Sequence, residues 1–230
     1  MRICILGDSH TAALNMGWDR IRADYPGVAI TIFAARGPTM GYLEAEGTDL
    51  VPGSPSLQQA MEYTSGREAR VRTGEFDMFA VCGMFLMPLW TQVGLSRAVI
   101  TTANAEQYLL STSGKVATLL RSVTPAPIHV MPKPLVAQRP GPPVAQAVPP
   151  YLEQIALMTR HFELEKLQFV CQPAETMPDG WSTRPDFSIG SSRLAIAPEM
   201  EGSVHPGRET NHMNADFGEL ALARFLKAVI

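Results

Sequence analysis

Cysteine is scarce in this chain of 230 residues: Cys4, Cys82 and Cys171 are its only three, and no two form a CxxC pair. Thiols so widely spaced exclude a disulfide framework and a structural zinc knuckle. Each lies in an apolar run, which predicts a small buried side chain. An excess of positive charge is also missing. Nineteen Lys and Arg stand against 22 Asp and Glu, a formal net charge of −3. That balance argues against nucleic acid or an anionic membrane as a partner. Long hydrophobic runs are absent too, and none approaches the roughly 18 residues of a spanning helix. Arg2 is followed only by Ile3, Cys4, Ile5 and Leu6 before Gly7 and Asp8, short of the ~7–15 apolar residues of a secretory leader. The expectation is a cytoplasmic protein. Apolar residues make up 46% of the chain against 18% charged, enough for a sizeable core, and the length suits a single domain over 1–230.

The hydrophobic pattern alternates between two periods. Apolar, partly β-branched runs at Arg2–Leu6, Val28–Phe33, Met78–Cys82, Ile128–Met131 and Leu167–Cys171 predict five buried strands. Between them lie stretches of helical spacing. Leu14, Trp18, Ile21 and Tyr25 form one face, stopped by Pro26-Gly27. Further helices are expected from Leu57 to about Arg72, Ala105 to Arg121, and Tyr151 to Glu165. The last runs from Asn214 to Val229, with Asn214 as its N-cap. Residues 35–55 read as a loop rich in Gly and Pro. Nine of the 19 prolines lie between Pro125 and Pro150 and predict a stiff surface loop. Residues 172–208 read as irregular, with a short strand at Arg193–Ile196. Strands alternating with helices imply an α/β fold of three layers: a five-stranded parallel sheet with helices on both faces. Ligands of such sheets bind at the carboxyl ends of the strands.

Two clusters carry chemistry. Gly7-Asp8-Ser9-His10 ends the first strand and opens a helix, which exposes a serine hydroxyl and backbone N–H groups at the sheet edge. As a structural element the same tetrapeptide is a helix cap. Far along the chain, Glu209-Thr210-Asn211-His212 places an acid three residues before a histidine, just ahead of the last helix. A histidine acting as general base needs an acceptor on its second ring nitrogen. Alone, the pair also suits a solvated turn.

Together, the GDS turn and the acid-x-x-His segment resemble the SGNH (GDSL-type) hydrolases, across the layout of nearly the whole chain. The resemblance implies a flavodoxin-like strand order, Ser9 as nucleophile, His212 as base and Glu209 as its orienting acid, a position where the family usually has Asp. It also implies oxyanion residues at Ser9, at Gly37 in Ala35-Arg36-Gly37-Pro38, and at Gly83 after the third strand. The family typically continues Gly-x-Asn; this chain reads Gly83-Met84-Phe85. Losing one oxyanion donor costs on the order of 10²–10³ in rate. Asn104 and Asn211 are candidate replacements. Asp8, His10, Arg36, Phe85 and Asn211 are the candidate substrate contacts, with Trp181 and Arg184 further along. The apolar run Met84–Trp90 is a candidate pocket lining.

The leading reading is an esterase acting on small O-acyl esters, acetylated carbohydrate among them, or an O-acyltransferase. A second is a catalytically weak or inactive module that binds a glycan or a protein. A nucleotide-binding domain is a third, against which the strand-one turn lacks a phosphate-cradling run of glycines. His205, Glu209 and His212 show H-x3-E-x2-H spacing, which matches no metal site with a mechanical basis. No metal or cofactor is expected.

Overall fold

The computed structural model describes residues 1–88, 94–138 and 151–230. Leu89 and Trp90 of the apolar run, and most of the proline-rich loop, lie outside them. In chain order the elements are β1 (Arg2–Gly7), α1 (Thr11–Ile21), β2 (Ala29–Ala34), β3 (Leu43–Glu46), β4 (Asp49–Pro52), α2 (Pro55–Ser65) and β5 (Val71–Arg72). They continue with β6 (Met78–Gly83), α3 (Arg97–Leu110), α4 (Thr112–Val123), β7 (Ile128–Pro132), α5 (Tyr151–His161), β8 (Leu167–Phe169) and α6 (Ala215–Val229).

Five strands form the expected parallel sheet, in the order β2-β1-β6-β7-β8. Counted within that sheet the order is 2-1-3-4-5, the doubly wound arrangement whose switch point lies between β1 and β6. Side chains alternate across it. Ile3 and Ile5 of β1 meet α1 and α6 on one face, while Cys4 and Leu6 join the core under α2–α5 on the other. Burial pushes the thiols of Cys4 and Cys82 far up, so both act as small apolar groups. Cys171 is half-buried just beyond β8.

Several expectations need correction. Residues 35–55 are not a bare loop: a 3₁₀ turn at Gly37–Tyr42 leads into an antiparallel hairpin of β3 and β4, extended by β5. Three acids, Glu44, Glu46 and Asp49, obscure its pattern, although Leu43, Leu50 and Val71 are buried beneath it. The helix expected to reach Arg72 stops at Gly66, which takes the left-handed conformation of a C-cap (φ +62°). The helix expected over Ala105–Arg121 is two helices. Ser111 ends α3, donating its N–H to Tyr108 O (2.9 Å), and starts α4 by accepting the Gly114 N–H (3.1 Å). No strand forms at Arg193–Ile196; an isolated bridge, Ser192 to Val204, lies just before it. α5 stops at His161 and β8 at Phe169, each shorter than the apolar run suggests.

Helices α1 and α6 matter most for function, because each begins just after a candidate chemical segment. A Cβ on Gly17 would overlap the Gly218 backbone, and one on Gly218 would overlap the Ala13 carbonyl. Two glycines thus let the helices pack backbone to backbone, which draws the segments before them to the same sheet edge. Among the described residues no helix is long and apolar enough to cross a membrane.

Candidate active site

At the carboxyl end of β1 the chain turns through Asp8, Ser9 and His10 into α1. Asp8 is nearly fully buried, and its carboxylate accepts the N–H of His10 (3.0 Å) and of Met84 (3.1 Å). This ties the turn after β1 to the loop after β6. Gly83 is required there. Its φ is +78°, and a Cβ would collide with Asp8 Oδ1. The next residue, Met84, is one of two non-glycine residues with positive φ among those described, a local strain that the Asp8 bond helps hold.

The second segment is fixed from three sides. Ala137 N–H donates to Thr210 O (2.7 Å), Asn214 N–H to Phe187 O (2.7 Å), and His205 N–H to Ser191 O (2.8 Å). The Asn214 side chain caps α6 by accepting the Phe217 N–H (3.2 Å). Held in this way, His212 reaches the serine: Ser9 Oγ and His212 Nε2 are 2.9 Å apart, across 203 residues of sequence. Glu209 lies behind. One carboxylate oxygen accepts the N–H of Thr210 (2.9 Å) and Asn211 (2.5 Å). The other lies 3.6 Å from His212 Nδ1 and 3.7 Å from His205 Nδ1. Burial works against the Glu209 carboxylate, but the Asn211 and Thr210 amides and the two histidines outweigh it and hold its carboxyl below the ordinary range.

Three imidazoles stack here. His10 lies 4.7 Å from His212 with ring planes 13° apart, and His205 lies 4.1 Å from it at 14°. Burial dominates at His10 and pushes its pKa down to about 4, against the pull of Asp8. Burial also lowers His205. Donor atoms of His205, Glu209 and His212 all lie within 4.8 Å of one another, a set that could hold a metal. The stack disfavours it. The lone pair on an imidazole nitrogen lies in the ring plane, and two nearly parallel rings aim theirs side by side instead of at one point.

A cleft of about 480 Å³ opens on Ser9 and His212, with Gly37, Lys133 and Asn211 on its walls. Asp8 and His10 reach it as well. Gly37 begins the 3₁₀ turn with φ +61°. Arg36 and Phe85 are not among the residues lining this cleft. Arg36 donates both Nε and Nη2 to the Leu194 carbonyl (2.9 and 2.5 Å). Phe85 is buried, edge-on to Tyr108. Asn104 is buried between α3 and α5, donating to Gln154 (3.0 Å). Arg184 pairs with Asp186 and lies over Phe187; neither it nor Trp181 lines the cleft. Lys133 escapes a sequence reading. It follows β7 directly, its ammonium 3.6 Å from Asp8, and it is the one Lys or Arg among the described cleft residues. The signal that finds it is its position at a strand's carboxyl end.

No protein-family model matches the chain, and no curated protein matches it in sequence. Solved structures do resemble it. One is a carbohydrate esterase family 2 enzyme with a carbohydrate-binding domain from Corynascus thermopiles (Myceliophthora fergusii), 13% identical at a TM-score of 0.45, covering 99% of this chain and 65% of its own. Another is the periplasmic domain of a Salmonella ser. Paratyphi A lipopolysaccharide acetyltransferase, 10% identical, TM-score 0.49, covering 99% and 83%. A third is a carbohydrate esterase described as having divergent catalytic and non-catalytic binding functions, 14% identical, TM-score 0.42, covering 99% and 64%. The chain therefore spans just under two thirds of the two esterase structures.

Proposed function

We propose that the chain is a serine-dependent hydrolase of small O-acyl esters, with acetylated carbohydrate as the favoured substrate class. The observation that carries this reading is the 2.9 Å contact between Ser9 Oγ and His212 Nε2, with the Glu209 carboxylate behind the ring. Hydroxyl, imidazole and carboxylate in that order are what converts a weak nucleophile into an active one.

Ser9 Oγ bonds to the carbonyl carbon while His212 Nε2 takes its proton. Glu209 faces the resulting imidazolium and keeps the second ring nitrogen in place. The oxyanion forms against the backbone N–H groups of Ser9 and Gly37, beside the Lys133 ammonium. Collapse breaks the bond to the alcohol, which leaves with the proton from His212. Water then repeats the cycle, giving its proton to His212 and its oxygen to the acyl carbon, and the Oγ–carbonyl bond breaks as His212 returns that proton to Ser9 Oγ. An alcohol arriving in place of water would give acyl transfer. Gly83, by contrast, is a packing residue in this reading, and Asp8 supports the turn.

One observation favours a second reading, a binding module with weak or absent catalysis. The position where the resembling family carries its oxyanion asparagine holds Phe85, turned into the core. The two readings separate on 4-nitrophenyl acetate and a panel of O-acetylated sugars. The esterase reading expects acetate release that falls by about 10⁴-fold or more in Ser9→Ala. Release that is absent in the folded wild type, or equal in the variant, would reject it. An added alcohol acceptor that diverts the acetyl group would mark a transferase.

A further inference from the structure

We infer that His205 is a positioning residue of this site: it covers the face of the His212 imidazole opposite His10, competes with His212 for one Glu209 oxygen, and so sets the basicity of His212. The inference rests on the reading of His212 as the base.

The geometry is specific. His10 and His205 both lie nearly parallel to His212, and among the described residues no ring contact joins the two to each other. They therefore flank His212 on opposite faces. With Nε2 facing the Ser9 hydroxyl, His212 as a base carries its proton on Nδ1, and that proton needs an acceptor. Glu209 Oε1 is already occupied by two backbone N–H groups. Oε2 remains, and it stands almost equidistant from the Nδ1 atoms of His212 and His205, at 3.6 and 3.7 Å. Both distances exceed a hydrogen bond. Oε2 has room to accept from both rings, but a shared acceptor serves the His212 imidazolium less strongly than one it holds alone.

The same arrangement couples their charges. Two imidazolium rings stacked at 4.1 Å repel each other, the more so away from bulk water. A proton on His205 therefore opposes the imidazolium that the reaction must form at His212. The other charged groups around the stack are Asp8 and Lys133 near His10, and Arg193 and Arg36 near His205. Both arginines disfavour a charged His205, as its burial does.

The test compares wild type with His205→Phe, which keeps a flat ring on His212 but cannot compete for Glu209; His205→Leu serves as a second variant should the first not fold. Two readouts are followed: the rate of Ser9 phosphonylation against pH, and the His212 ring titration by NMR. With Glu209 undivided, His212 becomes more basic. The acid limb of the rate profile and the His212 midpoint should both move up by roughly half a pH unit or more. An unchanged or lowered midpoint would overturn the inference. The NMR midpoint decides the coupling even in a protein whose Ser9 never labels, so failure of the esterase reading is seen separately.

Discussion

Along one wall of the cleft, the segment before α6 sets His212 2.9 Å from Ser9 and backs it with Glu209 and His205. Along the other, the loop after β6 turns Phe85 into the core and gives its Met84 amide to Asp8. Both walls lie at the same edge of the sheet, and the described residues of each are tied down by hydrogen bonds. They differ in where their polar groups point. The first wall aims His212 Nε2 at the serine and sets the Glu209 carboxylate behind that ring. The described part of the second wall gives its Met84 N–H to Asp8 and takes the Lys133 N–H at Phe85 O. Activation of Ser9 belongs, under the proposed function, to one wall, and the other acts as a scaffold. Under the proposed function, stabilising the oxyanion is left to backbone amides and to Lys133.

The sharpest way to break this contrast is to damage the scaffold wall alone. Gly83→Ala places a Cβ against the Asp8 carboxylate on a left-handed backbone. It should cost roughly 4 kcal/mol or more in a urea titration, and activity should follow stability.

The turn that carries Ser9, stacked on His212 through His10, answers to pH instead. The pKa of buried His10 is lowered to about 4 from the ordinary 6.5. Above pH 6.5 neither folded nor unfolded chain binds that proton. Between 6.5 and about 4 the unfolded chain binds it and the fold does not, so stability falls with falling pH, by about 3 kcal/mol in all. Urea unfolding at pH 7 and 4.5 should show most of this loss in wild type and a much smaller one in His10→Phe.

Phe85→Asn tests whether the second wall can be made catalytic by restoring the expected residue type. Because Phe85 packs on Tyr108 in the core, the change should lower stability by about 3 kcal/mol with no gain in acetate release. A rise in rate would mean that this position faces the cleft.

The smallest effect is expected at Lys133. Its side chain is about a third exposed, so solvent screens its pairing with Asp8 and Lys133→Met should cost about 1 kcal/mol of stability. The rate should fall about tenfold if the ammonium faces the oxyanion. Thermal melts and initial rates on the same sample separate the two.

Much of this architecture is legible in the sequence. The strand runs and the helical spacing of Leu14, Trp18 and Ile21 depend on local periodicity, which survives folding. The β3–β4 hairpin was hidden because its outward positions are acidic and its strands have only four residues each. The break at Ser111 was hidden because polar residues in a helix are ordinary until the packing is known. Among site residues, Ser9 and His212 stand beside recognisable turns, and the structure brings them together. Arg36 and Phe85 sit beside motif glycines yet bond elsewhere, since neighbours in a turn point in different directions. Lys133 belongs to no motif at all. What places it is the strand order, a property of long-range pairing that no local pattern encodes.

The most direct test of the central claim is the site of covalent labelling by a fluorophosphonate, read by mass spectrometry of the digested protein. With Ser9 activated by His212, the adduct should fall on Ser9, disappear in Ser9→Ala and drop by on the order of 10³-fold or more in rate in His212→Asn. A folded protein that takes no adduct, or labels Ser9 equally fast without His212, would contradict the account.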